Sequence, residues 1–179
     1  ASLTRKVRFT DYRPPRFTLT EPLVFAEGEG SYAKAMERLG AWDVLDGDLD
    51  EWISQTDTDV SYQRPGAYTM SVEVSSSLGD TAVAALPVHV VSPERLGVDI
   101  DLSEQIVYIG VGDSLDPAAY ISNVTAADGS YLDASGVSVE SGVDTNTPGC
   151  YEVHYTAYDS RGNAGETWLT VIVGEGGAE

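Results

Sequence analysis

Cysteine is almost absent: Cys150 is the single one in 179 residues. An intramolecular disulfide is therefore excluded, and the fold must hold by burial alone. Basic residues are scarce too, with ten Lys and Arg against 29 Asp and Glu and a formal net charge of −19. A surface of that sign repels phosphate backbones, which excludes nucleic acid as a partner. Only two histidines occur, His89 and His154, on expected outward strand faces in different halves of the chain. A Ser-His-Asp triad or a two-histidine metal site needs such groups to converge, and separate halves keep them apart, so a non-catalytic protein is expected. Apolar runs are short as well, none approaching the roughly 20 residues of a bilayer-spanning helix.

What is present is a repeat. Shifting the chain by 83 positions lays residues 60–90 on 143–173 without a gap, with identities at Val60, Pro65, Gly66, Tyr68, Ser77, Gly79, Leu86, Val88 and Val90. A period this long is a whole domain, since solenoid units run about 20–50 residues. In each copy a Pro-Gly pair opens a period-two stretch. Tyr68, Met70, Val72 and Val74 alternate with polar residues, as do Tyr151, Val153, Tyr155 and Ala157. Each stretch runs through a Gly-containing turn into a second strand with Leu86, Val88, Val90 or Leu169, Val171, Val173 inward, which makes a terminal β-hairpin. Shorter candidate strands lie at Leu23 to Ala26, Trp52 to Ser54, Ile106 to Ile109 and Val137 to Glu140. Short strands between turns, in about 80 residues, predict a β-sandwich.

One segment departs from this. Ser31 to Gly40 begins with a capping Ser, ends in Gly and carries Tyr32, Met36 and Leu39 on one face, which predicts a short helix. The second copy has only Asp116 to Tyr120 there, at most one turn. The expected organisation is a basic arm (1–16), a first sandwich (17–92), a linker (93–97), a second sandwich (98–174) and a tail (175–179). The fold class is all-β: two tandem immunoglobulin-like sandwiches, the first with a short inserted helix. A linker this short predicts an elongated, end-to-end pair with little hinge motion. Half of all basic residues, Arg5, Lys6, Arg8, Arg13 and Arg16, fall in the arm. Two readings of it stand: a juxtamembrane segment drawn to anionic headgroups, or a solvated arm or last strand of a preceding domain.

The run Val143 to Asn163, with its pattern Asp144, Pro148-Gly149, Tyr151, Val153, Tyr155, Asp159, Gly162-Asn163, resembles the bacterial immunoglobulin-like repeats of surface proteins and some crystal toxins, relatives of hyalin-type repeats. The first copy keeps Pro65-Gly66 and Tyr68 and adds Asp46-Gly47-Asp48, similar to a segment of that family, but has Gly79-Asp80 at the end of the pattern. The resemblance covers about residues 17–173. It implies a non-enzymatic, extracellular, surface-attached spacer or adhesion segment of a bacterial protein, held to membrane or wall through other segments, with a protein or glycan on a surface as partner. It carries no defined ligand site.

Site candidates come from the residues themselves. Asp46, Asp48 and Asp50 occupy alternate positions of an EF-hand-like loop, with Asp43 as a further oxygen donor for calcium. Glu51 stands where the sharp turn needs Gly, which favours a solvated acidic loop and no resident cofactor. Trp168, opposite in phase to Leu169, is expected to face outward, and with Tyr158 is the candidate for stacking on a sugar or gripping a protein. The alternative function is thus a carbohydrate-binding accessory module. Cys150 aligns with Ala67, which reads as a small strand residue, not a nucleophile. A monomer is expected.

Overall fold

A computed structural model of the chain describes residues 13–174; the basic stretch up to residue 12 and the 175–179 tail lie outside it. The first half contains β1 (Arg16–Leu19), β2 (Val24–Ala26), helix α1 (Tyr32–Arg38), β3 (Leu39–Asp43), β4 (Gly47–Asp48), β5 (Ser54–Thr58), β6 (Gly66–Ser75) and β7 (Thr81–Val91). The second half contains β8 (Asp99–Leu102), β9 (Ile106–Gly110), β10 (Ile121–Thr125), β11 (Ser138–Ser141), β12 (Gly149–Tyr158) and β13 (Ala164–Gly174). Sheet orders are β1-β3-β4 with β2-β7-β6-β5, then β10-β8 with β11-β12-β13-β9. The two halves share one plan. In each, a long antiparallel hairpin is flanked by a short parallel strand, β2 beside β7 and β9 beside β13.

The motif Pro-Gly-x-Tyr has the same physical cause in both halves. The Tyr68 hydroxyl donates to the Arg64 carbonyl at 2.9 Å, and the Tyr151 hydroxyl to the Thr147 carbonyl at 3.0 Å. Each is a tyrosine corner that ties a strand start to the loop before it. The ring folds back over the glycine, so that a Cβ on Gly66 or Gly149 would lie 3.1–3.2 Å from it. The hairpin turns agree equally well: Gly79 and Gly162 take φ of +87° and +86°, the left-handed region that glycine enters without strain.

The helix meets its expectation at one end only. Ser31 caps it, its Oγ accepting from the Lys34 N–H at 3.2 Å. At the other end Leu39 is already extended, and Gly40 belongs to β3, where a side chain would strike Thr18 and Asp50. Ala35, not Tyr32, is the buried helical residue. The expected strand at Trp52 to Ser54 is a 3₁₀ turn over Asp50–Trp52, followed by β5. Asp116 to Tyr120 is one 3₁₀ turn capped by Asp116, whose Oδ1 accepts from the Ala118 N–H.

Two apolar cores result. The first gathers Phe17, Phe25, Leu39, Leu49, Met70, Val72, Val74, Leu86 and Val88; the second gathers Ile100, Val107, Val124, Val153, Tyr155, Leu169 and Val171. The expected end-to-end arrangement is not found. Ile106, Tyr108, Cys150 and Ile172, on the outer face of β9, β12 and β13, pack against the first core, so one sandwich lies on a face of the other. A face with a Trp, an Ile and a Tyr pointing out of it is too apolar to leave in water.

Candidate functional site

The place where the two sandwiches meet is the most chemically distinctive part of the molecule. Outward positions on β12 are Cys150, Glu152, His154 and Thr156; on β13 they are Glu166, Trp168, Thr170 and Ile172. His154 and Trp168 are register partners and stack, with ring centroids 4.4 Å apart and planes 10° from parallel. His89, from β7, covers the other face of the indole at 3.9 Å and 7°. The indole is thus held between two imidazoles from different halves of the chain.

Electrostatics lock the stack. Nε2–H of His89, a residue only 6% exposed, donates to Oε2 of Glu152 at 2.7 Å; the carboxylate can only accept, which fixes the proton on Nε2. His154 lies 3.9 Å from Glu140 and 3.8 Å from the buried Glu166, and Glu166 is ion-paired with Arg95. Burial pulls the His154 pKa below its ordinary value, with His89 and Arg95 acting in the same sense and Glu140 and Glu152 opposing. The expectation that the histidines stay apart is therefore corrected: they converge, one on each face of a ring, in a packing role. Among the described residues no group of three or more His, Cys, Asp or Glu is arranged to hold a metal ion.

A second contact lies beside it. The Phe17 N–H donates to the Tyr108 hydroxyl oxygen at 2.8 Å, and that hydroxyl donates to the Phe17 carbonyl at 3.2 Å. Arg16 sits over the Tyr108 ring at 4.7 Å. Burial pushes the Tyr108 hydroxyl up to about 12. Cys150 is pushed up to about 12 by burial and by Glu152, which keeps the thiol protonated and a poor nucleophile.

The connection between the halves is clamped. Pro93–Arg95 forms a 3₁₀ turn, and both Gly97 N–H and Val98 N–H donate to the Ala164 carbonyl, at 2.8 and 3.0 Å. A side chain on Gly165 would run into the Val98 backbone. Between this connection and the β1–β2 loop opens a cleft of about 570 Å³. Its charged lining is mostly self-paired: Arg38 bonds Glu21 and the carbonyls of Pro22 and Val24, and Asp101 accepts from Asn123.

The residues singled out in the sequence are scattered. Asp43, 1% exposed, takes the Leu45 and Asp46 N–H groups on Oδ1. Asp46 receives the Ser77 N–H and hydroxyl at 2.7 and 2.6 Å, which hold its carboxyl below the usual range and tie its turn to the β6–β7 turn. Asp48 and Asp50 accept from the Asp50 and Ala41 N–H groups. These carboxylates shape the backbone and do not converge as a ligand set. Trp168 points out of its own sheet, as its phase requires, but into the joint instead of into water. Tyr158 is 65% exposed, and Trp42 and Trp52 stand about half exposed on the first half. The joint itself went unread in the sequence; its one available signal was an outward Trp beside an outward His on paired strands.

Comparison with known proteins adds a likeness over part of the chain. Residues 103–173 match the family model described as "Bacterial surface protein, Ig-like domain". The match lies within the second sandwich. An uncharacterized 81.3 kDa protein of Acholeplasma phage L2 is 30% identical over 140 residues, 76% of this chain and 19% of that protein, so the chain spans about a fifth of its relative. Among solved structures, the lipoprotein BT2262 of Bacteroides thetaiotaomicron is 24% identical with a TM-score of 0.35, over 46% of this chain and 40% of that one. A Clostridium perfringens ZmpB structure comprising CBM51-2 with GlcNAc and INT domains is 16% identical with a TM-score of 0.38, over 80% of this chain and 30% of that one. Likenesses of this size carry nothing about site or ligand.

Proposed function

We infer that this chain is a non-catalytic, stiff double-sandwich segment of a bacterial cell-surface protein, a spacer that holds the parts on either side of it at a set distance and angle. One observation carries the reading: an apolar and aromatic face of the second sandwich is buried under the first, and the short connection is bonded to β13. Stiffness is what such a joint supplies, since inter-domain contacts left small and polar allow relative motion. The surface-protein match over residues 103–173 supports the location, and attachment would come from other segments of a longer polypeptide. The histidines and Cys150, the groups most suited to chemistry, are engaged in packing, which supports a role without catalysis. The segment works as a monomer, with no nucleic acid and no resident cation, its loop carboxylates each accepting from backbone N–H groups and not converging on one point.

Small-angle scattering tests this reading. At about neutral pH the profile should fit one rigid particle with the side-by-side shape; the profile of two beads on a flexible tether would overturn it. A second reading, a carbohydrate-binding accessory module, draws on the exposed rings of Tyr158, Trp42 and Trp52. A glycan array decides it. Saturable binding lost in Tyr158→Ala or in the Trp42→Ala/Trp52→Ala pair would favour the module over the spacer.

A further inference from the structure

We propose that the Trp168 joint is a proton-operated latch: charging His154, one of the two imidazoles stacked on Trp168, releases the first sandwich from the outer face of the second and lets the angle between them change. The latch builds on the spacer reading by adding regulation to its stiffness. It rests on an arrangement that a purely structural joint does not need. A Trp on such a face would bury well against aliphatic side chains; here it is enclosed by the chain's only two histidines, one from each half.

The groups facing the stack come from four places: β11, β12, β13 and the connecting turn. Glu152 of β12 faces His89 at 2.7 Å, and Glu140 of β11 faces His154 at 3.9 Å. Glu166 of β13 lies 3.8 Å from His154, Arg95 of the connecting turn pairs with Glu166, and Thr156, on the same strand as His154, is 3.3 Å from its Nε2. When both imidazoles are neutral they stack flat on the indole and every close carboxylate but one is engaged, Glu152 by His89 and Glu166 by Arg95. The remaining one, Glu140, is mostly exposed and weak as a counter-charge.

Charging His154 places a cation on one face of the indole, in the field of Arg95. An indole face attracts a cation, but burial disfavours the charged ring and Arg95 repels it, in a half-buried site where water screens poorly. The sign follows from linkage. His154 has its pKa lowered from 6.5 in the closed joint, so the closed form holds fewer protons than the open one. The stability that the joint draws from this group is complete above 6.5 and is lost as pH falls through the lowered value.

The test uses the chain carrying Trp42→Phe and Trp52→Phe. Both positions are exposed, and the pair leaves Trp168 as the sole indole. Between about pH 7.5 and about pH 5, values that bracket imidazole titration, Trp168 emission should shift to the red and the radius of gyration should rise. Both changes should reverse on returning to neutral, and unchanged far-ultraviolet dichroism should show that the sandwiches stay folded. In His154→Gln the response should vanish, as it should in His89→Gln/His154→Gln, and the single variant serves if the double variant does not fold. Constant emission and radius across that range overturn the latch, as does an undiminished response in a folded glutamine variant. A particle rigid at both pH values sinks the latch and leaves the spacer standing, whereas a flexible one at neutral pH sinks the spacer.

Discussion

The outer face of the β6–β7 hairpin and the outer face of the β12–β13 hairpin are built on the same strand order, but the first is open to water over most of its length and only its His89 end enters the joint. Thr69, Val83 and Ala85 are exposed on the first, while Cys150, Trp168 and Ile172 are covered on the second. At positions related by the 83-residue shift the pairs are Ala67 and Cys150, Thr69 and Glu152, Ser71 and His154, Val83 and Glu166, Ala85 and Trp168. Inward positions of the second hairpin strand do not change: Leu86 and Leu169, Val88 and Val171, Val90 and Val173. What the halves share makes each sandwich; what they do not share makes the joint. The lesson is a division between the two faces of one hairpin, and substitutions can test it from either side.

The largest effect is expected from making the second core like the first. Tyr155 is fully buried and donates its hydroxyl to the Pro117 carbonyl at 2.7 Å, whereas Val72 stands at the matching position. Tyr155→Val should cost about 3 kcal/mol, from the cavity and the orphaned carbonyl together, read as a fall in the urea midpoint. Next comes the outer face. Trp168→Ala installs the residue found at position 85 and should remove about 2 kcal/mol of contact between the halves. Scattering should then report two loosely tethered bodies while each core still melts cooperatively. A variant that stays rigid would mean that Tyr108 and the linker hold the joint without the stack.

Smaller effects sharpen the likeness instead of the contrast. Tyr68→Phe and Tyr151→Phe each delete one corner hydrogen bond and should each cost about 1 kcal/mol, by equal amounts in chemical denaturation. Unequal losses would show that the two corners are not equivalent. The smallest effect belongs to the acidic loop of the first half, which has no full counterpart in the second. Millimolar calcium or a chelator should leave the melting temperature unmoved, because a ligand bound only to the folded state would raise it.

Much of the sandwich was legible because hairpin strands alternate strictly and the Pro-Gly and Gly turns punctuate them. The unread strands were β1, β3, β4, β8 and β10, at most five residues each and interrupted by Gly, Ala or polar residues, so that periodicity had too few turns of the pattern to register. Leu39 and Gly40 were assigned to the helix because a Gly after an apolar periodic run looks like a stop signal; the chain instead enters β3 at once, where only a bare backbone fits beside Thr18 and Asp50. The joint stayed hidden for a different reason. Phase gave the direction in which Trp168 leaves its sheet but not what stands opposite, and His89, 79 residues earlier, comes there only after both sandwiches have formed and turned face to face.

The parallel pairing of β9 with β13 has a mechanical consequence. Residues Ile106 to Gly110 lie beside Thr170 to Gly174 with both strands running the same way. Tension applied to the chain from opposite ends would draw β9 and β13 in opposite directions along their length, so their hydrogen bonds would be loaded in shear and would have to fail together. An antiparallel pair pulled from its open end unzips one rung at a time. The same holds for β2 and β7, three residues long, which makes the second sandwich the stronger link under load.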